Sequence, residues 1–323
     1  MKKSVSAVML VLMLSLAVAA KPSHGQSVKS GRLPREVWIA SVTMMPHPSV
    51  LGKTVDERIA MMLDRMEETA AYNPDIVCLT EVFAHTAFSG LPPLEEIAEE
   101  VPGPITRTFA AFAKKHSCYV ICPIYTKRGG HFYNASVLID RKGNVVGEYD
   151  KIRPTEGEIK RGITPGPVDP PVFETDFGKI GMQICFDANW PDGFRRLKEK
   201  GAEIVFWSSA FAGGRMINSL AMEFKYYIVT CTRYQPARIV DMTGVDLCAN
   251  GRLQPWLCAS VNLDREVFHW DFQADEFRAI QAKYGDKIGF SIEHPEGWFV
   301  LESLSPEISL DAIIDEYDLV NYH

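Results

Sequence analysis

Cysteine is scarce: seven in 323 residues, too few for the disulfide framework that holds small secreted domains together. None of the seven forms a Cys-x-x-Cys pair, and no Cys/His cluster has the spacing of a zinc site, so no metal or other cofactor is expected. Positive charge is also short. Lys and Arg number 34 against 41 Asp and Glu, for a net charge of -7. No block of Lys/Arg with interleaved aromatics offsets this, so the footprint of a nucleic-acid partner is missing. Beyond residue 20 no apolar run approaches the ~20 residues that a membrane-spanning helix needs. The 23 Gly and 20 Pro follow no period, which excludes a collagen-like or repetitive fibre. What is present is an ordinary globular composition, 46% hydrophobic and 23% charged, enough to bury one large core or two ordinary ones.

Residues 1–20, MKKSVSAVMLVLMLSLAVAA, place two lysines before an apolar run and end in small residues, Val18-Ala19-Ala20. That is the order of a cleaved secretory signal, and it predicts an exported protein, periplasmic or secreted, with no membrane span once the signal is removed. A polar linker is expected at 21–35, one domain over 36–270, and an extension over 271–323. The odd cysteine count leaves at least one thiol unpaired within the chain. Cys78, Cys118 and Cys231 sit in apolar, β-branched runs and read as core residues.

Periodicity predicts strands and helices in alternation, the pattern of a mixed, layered α/β domain. A strand at 37–42 precedes a helix at about 55–72, with Val55, Ile59, Met62, Leu63 and Met66 on one face. Thr54 and Glu57 form a capping box at its start. The run Asp75-Ile76-Val77-Cys78-Leu79-Thr80 is nearly all apolar, as in a strand covered on both faces. A helix near 104–117, a strand at 118–124 and hairpins at about 133–149 and 171–185 follow. Next come a helix near 191–200, a strand at 203–207, a helix at about 215–226 and a strand at 227–232. The extension reads as a helix near 274–284, a strand-like stretch and an acidic end, either a solvated tail or a surface that docks on a partner subunit.

Three chemistry-bearing residues fall at the carboxyl ends of predicted strands, where sheet enzymes keep their sites. Glu81 follows DIVCLT, Lys151 follows VVGEYD, and Cys185 ends KIGMQIC before the turn Phe186-Asp187-Ala188-Asn189-Trp190-Pro191. Each taken singly has a bland reading: a loop cap, a surface lysine, a core cysteine. Together they offer a base, a cation and a thiol, with backbone N–H groups beside the thiol to hold an oxyanion. The order Glu, Lys, Cys resembles the nitrilase superfamily of carbon–nitrogen hydrolases. Matching segments are CLTEVF, FYNASVLIDRKGNVVGEYDK and GKIGMQICFDANWPD, followed by AEIVFWSSAF and LAMEFKYYIVTCTR, over roughly residues 36–268.

The resemblance implies a four-layer α-β-β-α sandwich, usually paired into a homodimer or larger assembly. It implies hydrolysis of a non-peptide C–N bond in a small amide or N-carbamoyl compound through a thioester at Cys185. Glu81 would be the general acid/base, and Lys151 with the Phe186 N–H would hold the oxyanion. A second glutamate is expected after the lysine. Glu156 and Glu158 are the candidates, and Glu158 is preferred because it precedes GITPG at a family-like distance. Glu223 in LAMEFKYY resembles a supporting position, although an ordinary helix-surface residue reads equally well. Branches that cleave nitriles often show Trp-Glu after the cysteine; Phe186-Asp187 here favours an amidase or carbamoylase. The rivals are a nitrilase, an acyltransferase using the same thioester, and a non-catalytic binding protein. Of the remaining residues, His85 is read as polar loop. The sequon Asn134-Ala135-Ser136 is discounted because it falls inside a strand, and Phe186, Trp190, Trp207 and Phe211 flank the site in sequence.

Overall fold

The computed structural model describes residues 32–45, 54–86, 90–251 and 254–321. The expected signal at 1–20 and most of the linker lie outside the described residues. Over the described part the chain runs β1 (Glu36–Val42), α1 (Val55–Thr69), β2 (Ile76–Leu79), α2 (Leu94–Ile97), α3 (Pro104–His116), β3 (Tyr119–Arg128), β4 (His131–Ile139) and β5 (Val145–Asp150). It continues through α4 (Glu156–Lys160), β6 (Val172–Glu174), β7 (Lys179–Ile184), α5 (Pro191–Glu199), β8 (Ile204–Ser209), α6 (Gly214–Phe224) and β9 (Tyr227–Thr232). Strands β10 (Arg238–Val240), β11 (Asp246–Ala249) and β12 (Trp256–Asn262) complete two six-stranded sheets, ordered β12-β1-β2-β3-β4-β5 and β11-β10-β9-β8-β7-β6.

The layering follows from side-chain alternation, because successive residues of a strand face opposite sides. Along β2, Ile76 and Cys78 point into the core between the sheets, and Val77 and Leu79 point to the core under α1 and α3. Along β8, Ile204 and Phe206 enter the same central core, whereas Val205 and Trp207 meet Leu197 of α5 and Leu220 of α6. Strands buried on both faces are written as unbroken apolar runs, and the result is the expected four-layer α-β-β-α sandwich. The Thr54–Glu57 capping box opens α1 as anticipated. The helix stops at Thr69, and residues 70–72 tighten into a 3-10 turn. Its buried face carries Arg58 together with Met62 and Met66.

The region 233–262 had no strand assigned from sequence. It forms β10, β11 and β12, and β12 returns to pair antiparallel with β1 from Trp256–Val42 to Asn262–Glu36. The extension is not a tail. Strands β13 (Arg265–His269), β14 (Ile288–Glu293) and β15 (Trp298–Ser303) make a third sheet, ordered β13-β15-β14. Helices α7 (Ala274–Tyr284) and α8 (Leu310–Tyr317) join it around a core of Phe268, Phe277, Ile280, Phe299 and Ile313. This sheet begins at Arg265, a few residues before the expected boundary at 270.

Towards the carboxyl ends of the central strands the inter-sheet layer turns polar. Ser208 Oγ donates to the Leu79 carbonyl at 2.8 Å, and Thr80 Oγ1 donates to the Ser209 carbonyl at 3.2 Å. Ser41 Oγ donates to the Thr230 carbonyl at 2.9 Å. Directional bonds of this kind set a register between sheets that apolar packing alone leaves loose. They bring the end of β2 against the end of β8, and β1 against β9.

Candidate active site

Glu81 leaves β2 immediately after these cross-sheet bonds and is 2% exposed. Its Oε1 accepts from Lys151 Nζ and from Asn134 Nδ2, each at 2.9 Å. Its Oε2 is buried and accepts no hydrogen bond; Arg233 Nη2 lies 3.5 Å from it. One carboxylate oxygen is therefore engaged and the other is available to take a proton.

Lys151 is carried by the β4–β5 hairpin, whose ladder extends one bond beyond β5, from the Lys151 N–H to the Asn134 carbonyl at 2.8 Å. The Lys151 carbonyl accepts from the Gly166 N–H at 2.8 Å. A Cβ at Gly166 would lie against the Asp150 carbonyl, so the GITPGP segment can close over the lysine only with glycine there. The ammonium is 1% exposed and also donates to Glu158 Oε2 at 2.8 Å. Burial works against its charge, but the Glu81 and Glu158 carboxylates outweigh that and hold its proton more tightly than an ordinary lysine's.

The choice between Glu156 and Glu158 is made by helix capping. Thr155 is the N-cap of α4, and Glu158, three residues on, folds back to accept from the Thr155 N–H at 2.8 Å. That bend aims its carboxylate at Lys151 and at Asn134 Nδ2, the latter 2.7 Å away. Against the upward push of burial, the Lys151 ammonium keeps the Glu158 carboxyl below the usual glutamate range. Glu156 points to solvent and pairs with Lys160.

Cys185 follows β7 in a left-handed conformation, φ 45°, a region that non-glycine residues occupy at a cost of about 1–3 kcal/mol. The residue is 8% exposed. Burial and the Glu81 charge push its pKa up to about 11, and Lys151, the Ala210 N–H and the Ser209 hydroxyl pull the other way. Glutamate, lysine and cysteine thus share one electrostatic neighbourhood, and the sulfur rests there as a thiol. The turn is braced from below by Trp207, whose Nε1 donates to the Cys185 carbonyl at 3.0 Å. Phe186 is the next residue, its ring about one-third exposed and edge-on to Trp190. Its N–H lies in the first turn of a short helical segment, where backbone donors have no intrahelical acceptor.

Glu223 takes the helix-surface place that was one of its two readings. It lies on the outer face of α6, with about half its side chain exposed, 3.9 Å from Arg195. The alternation that buries Leu220, Ala221 and Phe224 turns position 223 to solvent.

Three residues that sequence reasoning passed over belong to the site. Asn134, set aside as a sequon, binds both glutamates. The available signal was an amide inside an otherwise apolar strand. Asp187 is fully buried; its carboxylate accepts from Tyr149 OH and the Arg153 N–H, each at 2.7 Å, and from the Ile184 N–H at 3.1 Å. It ties the strand before Cys185 to the segment after Lys151. Burial pushes its pKa up to about 6 despite those donors. Arg233 follows β9 as Glu81 follows β2. His85 is buried too, and burial with the nearby Arg58 and Arg161 charges pushes its pKa down to about 4, so it is neutral at pH 7. Among the described residues no group of three or more His, Cys, Asp or Glu side chains could hold a metal ion.

Comparison with known proteins gives the family. The carbon-nitrogen hydrolase family model matches residues 39–266. A nitrilase of Pyrococcus abyssi is 29% identical over 229 residues, covering 69% of this chain and 85% of that protein. The deaminated glutathione amidase of Mus musculus is 26% identical over 278 residues, covering 75% and 82%. Among solved structures, a carbon-nitrogen hydrolase from Helicobacter pylori G27 superposes with TM-score 0.64 at 18% identity, over 77% of this chain and 94% of that one. An amidase from Nesterenkonia sp. gives 0.60 at 17%, over 75% and 95%; at these identities both structures speak to the fold. With the family model spanning well over half of its length, the chain belongs to the carbon–nitrogen hydrolase family and is an enzyme of that class.

Proposed function

We propose that the protein hydrolyses a small amide or N-carbamoyl compound through a thioester on Cys185. The observation that carries this is the division of labour on Glu81: Oε1 is held by Lys151 and Asn134, while Oε2 accepts no hydrogen bond, and the Glu81 charge is felt by the Cys185 thiol. A thiol held near pKa 11 is a poor nucleophile until a base removes its proton as attack proceeds. Glu81 Oε2 is that base. As sulfur bonds to the carbonyl carbon, negative charge develops on oxygen, and the Lys151 ammonium and the Phe186 N–H stabilise it; one such donor is worth ~3–4 kcal/mol in the transition state. Glu81 returns the proton to the departing ammonia or amine, then takes one from the water that releases the acid. Glu158 and Asn134 orient Lys151 and Glu81. Phe186-Asp187 after the cysteine, in place of the Trp-Glu frequent in nitrile-cleaving branches, favours amides.

An ammonia-release screen over aliphatic amides, aryl amides, N-carbamoyl amino acids and nitriles tests the reading. Amides or carbamoyl compounds should be turned over. Cys185→Ala should lower the rate by more than about 10³-fold, as loss of a covalent nucleophile does, with an unchanged circular-dichroism spectrum. Activity surviving in Cys185→Ala sinks the thioester. The same reading includes export with loss of residues 1–20 and assembly as a homodimer or larger. No helix among the described residues is long and apolar enough to cross a membrane. An intact-mass measurement of the exported chain and light scattering read these two points; an uncleaved N-terminus or a monomer counts against them.

A further inference from the structure

Hydrolysis through Cys185 puts negative charge in two places. The carbonyl oxygen has Lys151 and the Phe186 N–H; the sulfur needs donors of its own. Strands β7 and β8 run parallel with Ile184 opposite Ser208, so one residue further on Cys185 leaves β7 beside Ser209. Ser209 is fully buried, and its carbonyl is pinned by Thr80 Oγ1 at 3.2 Å and by the Arg233 N–H at 3.1 Å. Its side chain is held as well, because Oγ accepts from the Phe211 N–H at 3.0 Å. A serine hydroxyl has a single proton to donate. With the oxygen fixed by Phe211, that proton is given to the Cys185 side chain.

A second donor comes from the next residue. The turn that Phe211 closes on Ser209 Oγ carries the Ala210 N–H to the same sulfur. Donors of this kind favour the charged form of an acid over the neutral one, so both work against burial and the Glu81 charge. The charged groups around the sulfur come from separate elements. Glu81 stands at the end of β2 with Arg233 of β9 against it, and Lys151 at the end of β5. Asp187, in the cysteine's own turn, is spent on Tyr149, Arg153 and Ile184. A buried hydroxyl and a peptide N–H are thus the neutral groups aimed at the nucleophile itself.

We propose that Ser209 is a further catalytic residue, its hydroxyl forming with the Ala210 N–H a cradle for the Cys185 thiolate. The proposal rests on the hydrolysis reading for the role of Cys185 as nucleophile. In acylation Glu81 removes the thiol proton as the S–C bond forms, and the two donors hold the charge that sulfur carries until that bond is complete. In deacylation water adds to the thioester carbonyl and gives one proton to Glu81. The C–S bond then breaks, its electron pair stays on sulfur, and the proton on Glu81 returns to it. Ser209 therefore acts on sulfur twice, as attacking group and as leaving group. Because both donors are already fixed in the folded chain, they need no reorganisation when the charge appears.

The test needs no substrate. The full-length protein is treated with iodoacetamide, a small neutral amide, from about pH 7.5 to about pH 10, and alkylation of Cys185 is followed by peptide mass. Over that range Lys151 stays protonated and Asp187 ionised, so the profile reads the sulfur. Ser209→Ala should slow alkylation about tenfold or more at every pH, the size of a hydrogen bond to a charged group, with an unchanged circular-dichroism spectrum. Ser209→Thr keeps the hydroxyl and should recover most of the rate. The ultraviolet absorbance of the thiolate, with the matching Cys185→Ala protein subtracted, should reach a given level about one pH unit higher in Ser209→Ala. Equal alkylation in Ser209→Ala and wild type overturns the inference and leaves the hydrolysis reading standing. Slower alkylation with unshifted absorbance also overturns it, because a merely loosened turn would do that. A wild-type Cys185 that neither alkylates ahead of the other cysteines nor ionises in this range overturns both readings.

Discussion

Glu81→Gln should lower kcat/KM by about 10³-fold or more while leaving the fold in place. The substitution is nearly isosteric and separates two roles of one carboxylate. A glutamine Oε1 still accepts from Lys151 and Asn134, so those groups stay where they are. The other position becomes an amide nitrogen, which cannot take the Cys185 proton. General acid–base groups contribute typically 10²–10⁴-fold, and here one group serves acylation, expulsion of the amine and deacylation, which places the expected loss in the upper part of that range. Removing one of the two negative partners of a buried ammonium costs stability as well. Because Glu158 remains at 2.8 Å, the cost should fall short of the ~3–5 kcal/mol for breaking a buried ion pair outright. Stopped-time assays with a urea titration read both quantities. A Glu81→Gln enzyme within tenfold of wild type would remove Glu81 as the proton carrier.

Asp187→Asn should cost both turnover and stability although Asp187 touches no reacting atom. Three donors converge on its carboxylate: the Arg153 N–H on one oxygen, and Tyr149 OH with the Ile184 N–H on the other. A tyrosine hydroxyl can rotate and accept; a backbone N–H cannot. Whichever way the amide is placed, its NH2 group opposes a buried peptide N–H, beside either Lys151 or Cys185, at about 1–3 kcal/mol. The turn that holds Cys185 at positive φ then loosens, and a misplacement of ~1 Å can cost 10²-fold in rate. The pH dependence distinguishes this from a simple packing defect. The native carboxyl, at about 6 instead of 3.8, binds its proton more tightly than the unfolded chain does. Its stabilising effect is therefore complete below about pH 4 and is lost as pH rises through about 6. Asparagine does not titrate, so the stability penalty should be larger at pH 4.5 than at pH 7.5, by about 2 kcal/mol. An equal penalty at both values would contradict the assignment of that proton to Asp187.

Much of the frame was legible because its signals are local. The apolar run at 76–79 could be read as a strand covered on both faces, and its residues do divide between two cores. Thr54 and Glu57 announced the start of α1, and the turn Phe186–Pro191 announced α5. Illegible were features whose partners are remote. Strand β12 looks like any apolar segment until β1, more than two hundred residues earlier, pairs with it. Asn134 resembled a glycosylation site because the carboxylates it serves come from positions 81 and 158. Glu223 could be read as a supporting residue or as a helix-surface one, because which face of α6 meets the sheet depends on remote packing. The extension could be read as a tail or as a docking surface because Phe268, Phe277 and Phe299 reveal a core only when three strands and two helices bring them together.

From the sequence by itself came the succession of strands and helices, and with it the placing of Glu81, Lys151 and Cys185 at strand ends, because alternation, capping and turn chemistry are written within a few residues. The tertiary structure alone decided which glutamate meets the lysine, which oxygen of Glu81 accepts no hydrogen bond, and how Asp187 ties the thiol's turn to the lysine's loop. Those outcomes depend on the register between two sheets, set by buried hydroxyl bonds such as Ser208 to Leu79 and Thr80 to Ser209. A short stretch of chain carries no information about how far another sheet will slide against it.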